Sequence, residues 1–166
     1  MSLSRVMPYG SARPLTLGER AALSLGLDEA LTRARVAPLI IARASLPAMF
    51  ASMWRGHPPI MVLGRRIFWP GALEDFSEGS ARTMSILQHE LQHVLEFRTG
   101  ALTIVSYVLW PPNWRYGYRL TDATRWTMLG AEQRAQAVQD YWLAEHGLAP
   151  EATSLEVYRN LIPWAR

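Results

Sequence analysis

Gln88-His89-Glu90-Leu91-Gln92-His93 is the stretch on which the reading of this chain turns. It contains H-E-x-x-H, whose two imidazoles, four residues apart on a helix, project from one face and can bind a single zinc ion. The residues around it support a helix. Ser77 or Ser80 can cap it, the pattern runs to about Arg98, and Gly100 supplies a left-handed stop. At about 100° per residue, Met84, Leu87, Leu91, Val94 and Leu95 form one apolar stripe, while His89, Glu90 and His93 fall on another face beside Ile86 and Phe97. Core and metal then need not compete for the same side.

A hydrolytic zinc site takes three protein ligands and leaves a fourth position for water. The chain has no cysteine, so nitrogen and oxygen must supply all three. Glu132 is the first choice, because it lies near the start of a separate later helix and can approach from across a cleft. Glu96 is the rival on the motif helix, but a third ligand one turn further along the same helix makes a strained tetrahedron. A supporting or surface role is expected for it. His57 and His146 are the remaining histidines, and either can stand in for Glu132. Glu90, next to the first ligand, is placed to take a proton from water and return it to a leaving amine. The competing reading is a small helical binding protein in which the His pair is incidental.

Outward from the motif, the chain alternates helical and strand-like runs, which predicts an α+β class. Residues 1–15 carry Pro, Gly and Ser without periodicity and read as an extended lead-in, with a single domain over 16–166. Thr16 and Glu19 make a capping box, and Leu23, Leu27, Ala30, Leu31 and Ala34 follow at helical spacing, so one helix is expected over about 17–34. Val36 to Arg43 reads as a buried strand despite Pro38. Ser45 and Pro47 open a short helix through Trp54, whose Met49, Phe50, Met53 and Trp54 face either the core or a substrate groove. Ile60 to Leu63 and Arg66 to Trp69 form a hairpin about Gly64. The apolar run from Ala101 to Trp110 reads as buried core, with Tyr107 inside it. A further helix is expected from about Gly130 to His146, ending at Gly147, and Thr153 with Glu156 caps a last one.

Composition narrows the classes. Hydrophobic residues are 49% and charged ones 19%, which excludes general disorder, and seven Trp point to a well-packed interior or an apolar groove. The net charge of +3 comes from 17 arginines and no lysine, scattered rather than clustered, which argues against nucleic acid as partner. The amino terminus lacks the apolar core of a secretory signal, so cytoplasmic synthesis without that export route is expected. The longest apolar stretch is about half of the roughly 20 residues a membrane-spanning helix needs, so no integral membrane segment is expected.

The segments PLTLGERAAL, VLGRRIFWPGALEDFS, ILQHELQHVLEFRTG and GYRL with GAEQRAQAVQDYW span about 14–142. In them the chain resembles the gluzincin branch of zincin metallopeptidases and, more closely, small bacterial zincin-like domains encoded near Vgr-type and Rhs-type secretion and toxin proteins. The resemblance implies a small sheet packed on the H-E-x-x-H helix and a later glutamate helix, with His89, His93 and Glu132 holding zinc. The expected activity is that of a zinc-dependent peptidase or amide hydrolase acting on a peptide or protein, bound along the strand near Arg66 to Trp69. The alternative it carries is a noncatalytic adaptor of a secretion or toxin system, exported by that system. Gluzincins often place an aspartate four residues after the ligand glutamate; here Gln136 stands there, and its amide is the expected acceptor for a ligand imidazole. An oxyanion donor is also expected, and Tyr116 and Tyr118 in the loop WRYGYR are the candidates.

Overall fold

The computed structural model describes residues 5–49, 59–121, 123–149 and 154–165. Three-residue strands pair into one mixed sheet: β1 (Ala12–Pro14), β2 (Leu39–Ile41), β3 (Met61–Leu63) and β4 (Arg66–Phe68), in the order β1-β2-β4-β3. The expected hairpin forms, with Leu63 opposite Arg66 across Gly64 and Arg65. β2 runs parallel to β4 with Ile40 opposite Ile67, both fully buried. β1 closes the far side, antiparallel to β2. The lead-in expected over 1–15 is therefore partly inside the domain, since 12–14 belong to the sheet and Met7 is buried. So short an edge strand draws its pairing from β2 rather than from any pattern of its own.

The single helix expected over about 17–34 is two, α1 (Leu17–Ala22) and α2 (Leu25–Arg33). Distant groups claim the backbone at the break. The Trp142 indole N–H donates to the Ala22 carbonyl at 2.8 Å, the Ser24 N–H donates to Gln88 at 3.4 Å, and the Ser24 hydroxyl donates to Glu145. A continuous helix would need that carbonyl and that N–H for its own ladder. The Thr16–Glu19 capping box does form. Glu19 is also wholly buried, and its carboxylate accepts from the Arg13 guanidinium and from the Phe76 N–H. A buried carboxylate without such partners would be strongly destabilising, so this cluster ties β1 and α1 to the 3₁₀ turn Phe76–Glu78.

The motif helix, α3 (Ala81–Thr99), starts at Ser80, whose side chain accepts from the Thr83 N–H, and stops at Gly100 with φ 76°. It is enclosed almost all round. From Met84 to Glu96 every residue except Ile86 is buried, so the helix is central rather than merely amphipathic. Beyond it come α4 (Ile104–Leu109), a 3₁₀ turn at Pro111–Trp114, α5 (Ala131–Glu145), which packs along α3, and α6 (Leu155–Leu161). Thr153 lies outside the described residues, and the residue preceding α6 is Ser154. The helix expected from Ser45 begins at 46–49; Phe50, Met53 and Trp54 lie outside the described residues.

The run from Ala101 to Trp110 departs from its expected burial. Leu102 is buried, but Ile104, Val105, Val108, Leu109 and Trp110 are all more than half exposed. Apolar composition says that a segment has a preferred side, not that the fold contains enough other surface to cover it. Among the described residues no helix is long and apolar enough to cross a membrane.

Asp75 caps the 3₁₀ turn, accepting from the Ser77 N–H at 2.8 Å and from the Thr16 hydroxyl at 2.6 Å. Burial pushes its carboxyl up, but these hydrogen bonds and the Arg13 charge outweigh burial and hold it below the ordinary value of 3.8. A depressed folded-state pKa contributes stability that is present above 3.8 and lost as pH falls through the folded value. Asp75→Ala should therefore lower the Tm at neutral pH, by a cap worth about 1 kcal/mol. The gap from wild type should narrow progressively as thermal denaturation is repeated at pH values falling below 3.8.

Candidate metal centre

His89 and His93, one turn apart on α3, direct their Nε2 atoms at the same oxygen, Oε2 of Glu132 on α5, at 3.1 and 3.4 Å. All three residues are buried, and their donor atoms lie within 4.8 Å of one another. The fit to a metal can be judged from these lengths. Bonds of 2.0–2.1 Å in a tetrahedral zinc site imply donor-to-donor edges of about 3.3 Å, and two imidazoles with one carboxylate form a hydrolytic donor set. The residues present therefore suit a small divalent transition metal in both size and chemistry.

Glu132 comes from 43 residues beyond His89, so long-range contacts must place it. Gly130 begins α5 where a Cβ would stand 2.1 Å from the Pro112 carbonyl oxygen, so only glycine permits this approach. Asn113 completes the junction: its Oδ1 accepts from the Ala131 N–H at 3.1 Å and its Nδ2 donates to the Ser106 carbonyl at 2.9 Å. One side chain thus joins α4 to the start of α5. Farther along, the Arg134 guanidinium donates to both oxygens of Glu96 at 2.7 and 3.2 Å, and Gln92 donates to the first of them. Glu96 is therefore a buried ion-pair partner between α3 and α5, neither a ligand nor a surface residue.

Charge is organised around the same point. Burial would push the Glu132 carboxyl up, but hydrogen bonds from His89, His93 and Tyr107, with the His93 charge, hold it well below the usual carboxylate range. Its place in the first turn of α5 favours the anion as well. Glu90 is buried beside it, and burial, opposed by His89 and reinforced by Glu132, pushes its carboxyl up to about 7. A carboxyl at that level can both accept and release a proton near neutrality.

The cleft holding these groups measures about 460 Å³. Ile60 to Leu63, Phe97, Leu102, Ile104 and Val108 line it with Tyr107, Trp114 and Tyr116. A second depression of about 730 Å³ around Thr121, Arg125, Trp126 and Asn160 has no His, Asp or Glu among the described residues of its lining. Tyr116 lies beside His89, their rings near-parallel with centroids 6.2 Å apart. Tyr118, expected beside it as an oxyanion donor, is elsewhere: its hydroxyl donates to Asp140 at 2.6 Å, and it does not line the cleft. Gln136 also turns to Asp140, at 2.9 Å, rather than to an imidazole. Nδ1 of His89 and Nδ1 of His93 are buried without a partner among the described residues. His146 stacks on Trp142 and its Nδ1 meets the Trp142 carbonyl at 2.8 Å, so it is no ligand; His57 lies outside the described residues.

The expected peptide-binding strand also needs correction. β4 is paired on both sides, by β2 and β3, and offers no free edge. The edge that borders the cleft is β3, whose outer row of N–H and C=O groups has no partner strand among the described residues. The residue missed at the site is Tyr107, whose hydroxyl donates to Glu132 Oε1 at 2.6 Å. Its one signal in the sequence is that a tyrosine set into an apolar run needs a partner for its hydroxyl wherever it is buried.

Zinc saturating the site at 100 times its Kd should stabilise the wild type by about 2.7 kcal/mol, seen as a rise in Tm. His93→Ala and Glu132→Ala should lose that rise, and an equal rise in both variants would remove the site. Arg134→Met leaves the Glu96 carboxylate buried without its cation and should cost about 3 kcal/mol in chemical denaturation. Comparison with protein-family models, curated proteins and solved structures returns no match for this chain.

Proposed function

We propose that the protein is a zinc-dependent peptidase or amide hydrolase of the zincin-like type, with His89, His93 and Glu132 as ligands and Glu90 as general base. The observation that carries this reading is the convergence of a buried carboxylate from α5 on the two imidazoles of α3, with Glu90 buried next to His89. Zinc bound there would supply Lewis acidity, polarising a carbonyl and making a water more acidic.

The chain's own residues supply the rest. Glu90 holds a proton on its carboxyl oxygen between abstraction and delivery to the leaving nitrogen, which spares the site a second acid. Tyr116, half exposed at the rim beside His89, is the candidate donor to a developing oxyanion. The outer edge of β3, unpaired among the described residues, can pair with an extended peptide through main-chain hydrogen bonds. The apolar lining from Phe97, Leu102, Ile104 and Val108 then favours uncharged side chains next to the scissile bond.

A second reading has its own support. Among the described residues neither histidine Nδ1 has the hydrogen-bond partner that usually strengthens metal binding, and the outer face of α4 is apolar and exposed. Those features suit a noncatalytic zincin-like adaptor in a bacterial secretion or toxin system. Metal analysis combined with cleavage of a peptide library separates the two. The hydrolase reading expects zinc in wild type and Glu90→Gln alike, cleavage beside apolar residues by the wild type, and a fall of about 10²-fold or more in the variant. Zinc in both proteins with cleavage by neither would favour the adaptor.

A further inference from the structure

The Glu132 carboxylate is divided between two tasks. Oε2 faces both imidazoles, and Oε1 accepts from the Tyr107 hydroxyl at 2.6 Å. Building on the metal centre described above, we propose that Tyr107 is a positioning residue whose hydrogen bond confines Glu132 to ligation through one oxygen, which keeps the fourth metal position free. A carboxylate without that restraint can present both oxygens to a metal, or rotate away from it. The first outcome crowds the position where water must bind, and the second weakens the site.

The placement of Tyr107 is itself determined by the residues that begin the glutamate helix. The Trp114 indole N–H donates to the Tyr107 carbonyl at 2.7 Å, and Asn113 donates to the Ser106 carbonyl while accepting from the Ala131 N–H. The 3₁₀ turn at Pro111–Trp114 therefore holds the phenol on one side and the carboxylate on the other. Tyr107 and Glu132 keep their separation because one rigid turn sets both. The carboxylate that receives the phenol is itself buried, and a hydrogen bond there is strengthened by the scarcity of water. Tyr107 acts through Glu132 and need not touch a substrate.

Tyr107→Phe removes one oxygen and retains the ring. Zinc affinity, measured against a chromophoric chelator, should fall by roughly 10- to 100-fold. The cobalt(II)-loaded variant should absorb more weakly in the visible than the wild type, as a second carboxylate oxygen enters the coordination shell. Far-UV circular dichroism and the Tm of the metal-free proteins establish that both are folded. Glu132→Ala keeps only the weaker affinity of two imidazoles, read at higher zinc than saturates the wild type, and the same substitution there should have no further effect, because Tyr107 has lost the group through which it acts. Equal affinity and identical cobalt spectra for wild type and Tyr107→Phe would overturn the proposal, as would an equal loss in the Glu132→Ala background, which would mark a merely structural hydroxyl. Absence of metal binding by the wild type would overturn it along with the metal centre. None of these readouts depends on cleavage, so a protein that binds zinc as described but cuts no peptide would defeat the hydrolase reading alone.

Discussion

A carboxylate buried between two imidazoles is the constraint around which this molecule is arranged. Glu132 is almost fully enclosed, and a charge in that setting is tolerable only where donors surround it. His89, His93 and Tyr107 are those donors, and they come from two separate helices. The carboxylate can meet them only if α5 begins at one position relative to α3 and α4. Three contacts establish that position: the close approach of Gly130 to Pro112, the bridging amide of Asn113, and the ion pair of Arg134 with Glu96. The last is itself buried, so sliding α5 along α3 would strand a second charge.

The motif helix carries more polar side chains into the interior than a helix of its kind needs for metal alone. Gln88, Gln92 and Glu96 recur at four-residue spacing and are all buried. Each is engaged by a different part of the chain: Gln88 by the Ser24 N–H, Gln92 by the Trp164 indole, Glu96 by Arg134. Directional contacts on one side, apolar packing by Leu87, Leu91 and Val94 on another, and the cleft on the third leave the helix little freedom to rotate. A pair of imidazoles on such a helix is pre-oriented, which lowers the cost of gathering ligands about an ion.

Much of this is legible in the chain because it is governed by neighbours in sequence. Ser80 and Gly100 bound the motif helix through local capping geometry, Thr16 and Glu19 form their box, and Gly64 turns the hairpin. Each depends on atoms a few residues apart. The readings that fail depend on atoms far apart. The helical pattern breaks at Leu23 and Ser24 because Trp142 binds the Ala22 carbonyl and Gln88 and Glu145 accept from Ser24, all from other helices. Tyr118 donates to Asp140 from 22 residues away, and Tyr107 leaves the expected core for the cleft; Gln136 is the local exception, taking Asp140 one turn along its own helix.

The sequence by itself determined that two imidazoles and a carboxyl share one helical turn region, since a helix places residues one turn apart on a common face whatever surrounds it. It also determined the α+β class, through runs whose periodicity distinguishes helix from strand. Only the tertiary structure decided that Glu132 rather than Glu96 stands opposite the histidines, that β3 rather than β4 borders the cleft, and that a tyrosine from an apolar run hydrogen-bonds to the Glu132 carboxylate. Those outcomes rest on which buried charges and free edges found partners across the fold, and pairing over such distances is set by packing of the whole chain rather than by any local stretch of it.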